Sequence, residues 1–198
     1  MSIRSGGRVL GALVLAVLTV MLTAGPAGAD GYGGTRTTSW FGSAFLGSGG
    51  ASGSDDAFVD FDVWKPHGVP AFGNGEFFVR GYDCTTEDTT RATIDRLQSA
   101  SARGRLALDC WWHGAPGQAP GPENVRGTAW VDLRWTGVGP LSHRTLDEPG
   151  SPCVYRFADR HAEVSGTVKL VLPRIYRGVA TPLDVASDHL TRERAFCR

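Results

Sequence analysis

Apolar and polar residues alternate with a period of two along much of the chain. In "AFVDFDVW", Val59, Phe61 and Val63 point one way and Phe58, Asp60, Asp62 and Trp64 the other. In "RLALDCWW", Leu106, Leu108, Cys110 and Trp112 oppose Ala107, Asp109 and Trp111. "WVDLRW" sets Val131, Leu133 and Trp135 against Trp130, Asp132 and Arg134, and "EVSGTVKLVL" sets Val164, Val168, Leu170 and Leu172 against Ser165, Thr167 and Lys169. Successive side chains of an extended strand leave opposite faces, so this pattern predicts half-buried antiparallel strands.

The segments between these runs interrupt regular structure. "HGVPAFGNG" carries Pro70 and a Gly73-Asn-Gly75 turn signal, and "SARG" reads as a tight hairpin around Gly104. Pro116, Pro120 and Pro122 exclude helix and inner strand from "HGAPGQAPGPEN", and "LDEPGSP" turns the chain just before Cys153. "TTEDTTRATIDRLQSASARG" has too few apolar residues for a helical face and reads as a loop followed by a strand from about Ile94 to Ala102. The tail "PLDVASDHLTRERAFCR" reads as a last strand. Together these predict an all-β fold, an antiparallel sandwich or up-and-down barrel of roughly eight to ten strands. Alternation alone does not separate sandwich from barrel.

The N-terminus changes the picture of where this fold works. Arg4 and Arg8 precede the uncharged run Val9–Ala24, and Ala27-Gly28-Ala29 has the small-x-small form of a cleavage site. Residues 1–29 therefore read as a signal peptide, 30–39 as a flexible Gly/Thr-rich segment, and 40–198 as a single β domain. Removing the first 29 of 198 residues leaves 169, enough for one core. The whole chain holds 20 basic and 20 acidic residues. That balance gives no concentrated basic patch for nucleic acid or an anionic membrane, and signal cleavage would leave no stable membrane span.

Export also settles how the cysteines read. Cys84, Cys110, Cys153 and Cys197 are even in number, as expected of two disulfides in an oxidising compartment. Three pairings are possible. Cys84–Cys110 with Cys153–Cys197 is favoured because each joins segments close in sequence. In the chain-entropy picture such loops stabilise by roughly 3.5 and 4 kcal/mol. No CxxC is present, so neither a zinc ribbon nor a thioredoxin-like pair is indicated, and no metal or cofactor is expected.

Candidate chemistry is sparse. Cys110 and His113 are three apart, which on a strand sends them to opposite faces. No G-x-S-x-G elbow is present. His161 has Asp159 and Glu163 nearby as orienting carboxylates. Asp60, Asp62, Asp109 and Asp132 supply outward carboxylates of the kind glycoside hydrolysis uses in pairs. The most suggestive constellation is collective: Asp62, Trp64, Asp109, Trp111, Trp130, Asp132 and Arg134 all occupy the face opposite the aliphatic residues. Indoles beside hydrogen-bonding groups suit a sugar or another small ligand, on an open surface or inside a barrel cavity.

The stretch "VDLRWTGVGPL" followed by "CVYRFADRHAEVSGTV" resembles a pattern in small exported actinobacterial β-proteins of unassigned function. The matching residues are Trp135, Thr136, Gly137, Gly139, Cys153, Tyr155, Gly166, Thr167 and Val168. The resemblance covers the final third of the chain. It implies an exported, disulfide-bearing β-domain and brings no catalytic or binding residues with it. The expectation is a secreted, non-catalytic domain, extracellular or wall-associated, that binds carbohydrate, a small ligand or another envelope protein. The alternatives are a secreted glycan hydrolase and a protein-binding or inhibitory domain acting through its Pro-rich loop.

Overall fold

The computed structural model describes residues 35–49, 55–114, 121–183 and 188–198. The expected signal peptide and the centre of the Pro-rich loop lie outside the described residues. Ten strands make up the fold: β1 (Thr35–Gly49), β2 (Asp55–Lys65), β3 (Phe72–Val79), β4 (Tyr82–Thr85), β5 (Thr90–Asp95), β6 (Ser99–Trp112), β7 (Asn124–Asp147), β8 (Cys153–Leu172), β9 (Tyr176–Pro182) and β10 (His189–Cys197).

The sheet is antiparallel and closes on itself. Its order is β10-β1-β2-β3-β4-β6-β7-β8-β9, with further pairings of β10 to β8 and of β1 to β9. The N-terminal half of β8 pairs with β10 and its C-terminal end with β9. β1 does the same from the other side, so β9 and β10 share one stave of the wall, end to end. β4 and β5 likewise share the gap between β3 and β6. Ten strands thus form eight staves in a closed up-and-down barrel.

An eight-stave barrel has an interior just wide enough for side chains to fill. Leu46, Phe61, Phe77, Leu106, Leu170 and Leu190 are among those that fill it here. Trp135 lies at the centre, fully buried, with its ring centroid 6.4 Å from that of Phe61. Its Nε1 donates a hydrogen bond across the barrel to the Ser43 carbonyl at 3.0 Å. The lumen is therefore a packed apolar core, and the Trp/Asp face is the outer wall and not a cavity lining.

Both disulfides form as expected, each between directly opposed residues: Cys84–Cys110 across β4 and β6, and Cys153–Cys197 across β8 and β10. In "LDCWWHG", Cys110 is buried, Trp111 points outward, and Trp112 packs edge-on against Tyr82 at 5.1 Å.

Several turn assignments differ from the sequence reading. Gly73 and Gly75 lie inside β3, because the Phe61 ring occupies the space that a Cβ at either position would need. Gly104 lies inside β6, where a Cβ would press on Thr90 at 3.2 Å. The hairpin falls earlier, at 96–98, with Arg96 at φ 52°, so the stretch read as one strand is the end of β5, a turn and the start of β6. The Trp135-Thr136-Gly137-Val138-Gly139 segment lies within a strand. β7 runs through it with a register shift between Gly137 and Leu141. β1 starts at Thr35, inside the segment read as flexible.

Past that shift, residues 141–147 of β7 pair with 154–160 of β8. β10 and the first residues of β1 continue alongside. These four strands extend the wall beyond the barrel opening as a tongue, with Cys153–Cys197 tying β8 to β10 at its far end.

Candidate functional site

The outer faces of β1, β2 and β3 carry the densest combination of rings and carboxyls. The register sets Phe41 opposite Trp64, Ser43 opposite Asp62 and Phe45 opposite Asp60. On the other side of β2, Asp60 faces Glu76 and Asp62 faces Asn74. Phe41 and Trp64 stack at 5.1 Å with 20° between planes, and His189 meets the Phe41 ring edge-on at 5.5 Å. Phe45 and Phe58 lie 5.7 Å apart. Alternation forces these groups outward, because Ala44, Leu46, Val59, Phe61 and Val63 fill the core.

The carboxyls here are electrostatically strained. Asp60 is pushed up to about 6, first by desolvation and then by the charges of Asp62 and Glu76. Its Oδ1 is sealed from solvent with no hydrogen-bond partner. Asp62 is also raised, chiefly by desolvation. A hydrogen bond from Ser43 and the nearby His189 pull it back. Among the described residues no group of three or more His, Cys, Asp or Glu is arranged to hold a metal ion.

The structure divides the seven candidate ligand residues among three places. Asp62 and Trp64 belong to the β1–β3 patch. Trp130, Asp132 and Arg134 lie on β7, four staves away around the ring and so on the opposite wall. There Trp130 sits between Arg105 and Lys169, at 5.7 and 5.5 Å from its ring. Asp132 pairs with Arg103 at 3.7 Å, and Arg134 joins both in lining a shallow depression of about 440 Å³ beside Gly166. Trp111 and Asp109 lie on β6 and border a depression of about 420 Å³ with Asn124 and Arg126, where Asp109 pairs with Arg126 at 3.6 Å. Both ion pairs are well exposed and contribute little to stability.

Asp159, one of the carboxylates read as orienting His161, is engaged by other residues. That carboxylate accepts hydrogen bonds from Thr191 at 2.5 Å and Arg144 at 3.3 Å. Sequence reasoning missed Phe41, Ser43, Phe45, Glu76 and His189. The signal for the first three was the alternation in "WFGSAFLG", blurred because both faces of that strand carry apolar residues.

The fold and patch together define a disulfide-bonded, solid-cored β-barrel with an aromatic and acidic outer face. No protein family, characterised protein or solved structure matches the chain.

Proposed function

We propose that the protein is an exported, non-catalytic binding domain that takes a hydroxyl-rich carbohydrate on the outer face of β1–β3. The observation that carries this reading is the Phe41–Trp64 stack with Asp62, Asp60 and Glu76 beside it. A flat indole face suits the C–H face of a sugar ring, and neighbouring carboxylates accept from its hydroxyls. The two disulfides support export to an oxidising compartment. No helix among the described residues is long and apolar enough to cross a membrane.

Titration calorimetry and tryptophan fluorescence against soluble cell-wall glycans test the reading. Binding that Trp64→Ala reduces at least tenfold, with the melting temperature held, supports it. No response to any glycan, or a response unchanged in Trp64→Ala, overturns it.

One observation favours a second reading, glycan hydrolysis. Asp60, pushed up to about 6 by desolvation and the charges of Asp62 and Glu76, faces Glu76 across the β2–β3 pair, so two carboxyls stand together with one of them favoured to hold a proton. Release of reducing ends that Asp60→Asn abolishes would select hydrolysis over simple binding.

A further inference from the structure

The inner face of the tongue, which continues the lining of the barrel, is lined with arginine. On β10, Leu190 still faces the core, and Arg192, Arg194 and Phe196 follow it on the same side. Their partners on β1 are Gly42, Trp40, Thr38 and Arg36, and on β8 they are Arg160, Ala158, Arg156 and Val154. Arg36, Arg156, Arg192 and Arg194 thus share one surface, and none of them forms an ion pair within the described residues.

The guanidiniums are positioned by rings instead. Arg36 and Arg156 both lie over Phe196, at 5.5 and 5.1 Å, and Arg192 lies over Trp40 at 5.6 Å. Arg156 and Arg194 are directly opposed across the β8–β10 pair, an arrangement of like charges that destabilises a sheet. Arg194 Nε is shut off from solvent and has no hydrogen-bond partner. Desolvation, followed by the charges of Arg192 and Arg36, lowers the affinity of Arg194 for its proton. A preorganised cationic surface is complementary to oxyanions, which guanidinium forks bind in paired hydrogen bonds.

We propose that this face binds a linear acidic polysaccharide through its carboxylate, sulfate or phosphate groups. Strand spacing of about 4.8 Å and a rise of about 3.3 Å per residue spread the four arginines over roughly 10 by 13 Å. A single small anion would reach only part of such an array, and a polymer charged along its length would engage all of it. The aromatic faces of Phe196 and Trp40 already carry guanidiniums, which disfavours a single-stranded nucleic acid that needs open rings for stacking. This site shares no residue with the Trp64 patch and does not depend on it.

The test uses the chain without residues 1–29, with heparin and polygalacturonate as probes, followed by calorimetry over a range of salt concentrations. Binding should weaken steeply with salt. Arg156→Gln with Arg194→Gln should cut affinity at least tenfold and reduce the log–log salt slope by about two. Arg36→Gln with Arg192→Gln provides an independent pair should the first fail to fold. The control pair Arg105→Gln with Arg177→Gln should bind as the wild type does. No binding to either polysaccharide at low salt overturns the proposal, as does equal loss in the control pair. Tighter binding to a single-stranded oligonucleotide or to anionic lipid vesicles than to both polysaccharides also overturns it.

Discussion

Replacing Asp60 with Asn removes a charge from the most crowded point of the acidic patch while keeping side-chain size. The folded carboxyl titrates near 6, against an ordinary value of 3.8. The native state therefore keeps this proton up to about pH 6, and the unfolded chain releases it near pH 4. Between those values the native state binds more protons, so stability should fall as pH rises and stay lowered above 6. At about 1.4 kcal/mol per pH unit the full gap corresponds to about 3 kcal/mol. The side chain is only partly buried, and solvent screening reduces the expected penalty to about 1–2 kcal/mol. Asp60→Asn should therefore gain about 1–2 kcal/mol at pH 8, or roughly 2–8 °C in melting temperature for a chain of this size. The gain should shrink toward zero by pH 4. Denaturant melts of both proteins from pH 4 to 8 measure it. A variant that is no more stable at pH 8, or a gain that is the same at pH 4 and pH 8, would refute the electrostatic account.

Two substitutions test the barrel itself. Trp135→Phe deletes the bond to the Ser43 carbonyl and leaves a void at the barrel centre. It should cost about 2–3 kcal/mol in a denaturant melt, and a loss below about 0.5 kcal/mol would show that the indole is not a central prop. Gly166→Ala should cost about 3 kcal/mol or more. Gly166 has φ 109°, and a Cβ there would collide with the Asp132 carbonyl. A melting temperature within a degree or two of the wild type would contradict that geometry.

β2, β6, β7 and β8 were legible in the sequence because each puts aliphatic residues on one face and charged residues on the other. Both cysteine pairs were legible for a different reason, since each joins segments close in sequence. β1 was not, because outward Phe41 and Phe45 are as apolar as inward Leu46, and no polar face marks its register. Glycine misled for a physical reason as well. Gly73, Gly75 and Gly104 make room for Phe61 and Thr90 inside strands, and a sequence shows the missing side chain without showing what fills its place. The candidate site was half legible. Alternation placed all seven residues on the face opposite the aliphatic side chains, but that this face is the outer wall, and how the seven group, depends on the closure and order of the staves, which put β2 and β7 on opposite walls.

The shared stave of β9 and β10 has a consequence for how the molecule is made. Thr35 is paired with Cys197, so the first nine residues of β1 find their partner only when β10 is present. Until His189–Cys197 arrives, β1 and β8 both carry raw edges along the tongue, of the kind that recruit other chains. A fragment that lacks β10 can close only through the short β1–β9 pairing, and its tongue stays open. The tongue therefore completes its pairing only once β10 is in place, and a chain without it is the form most exposed to aggregation.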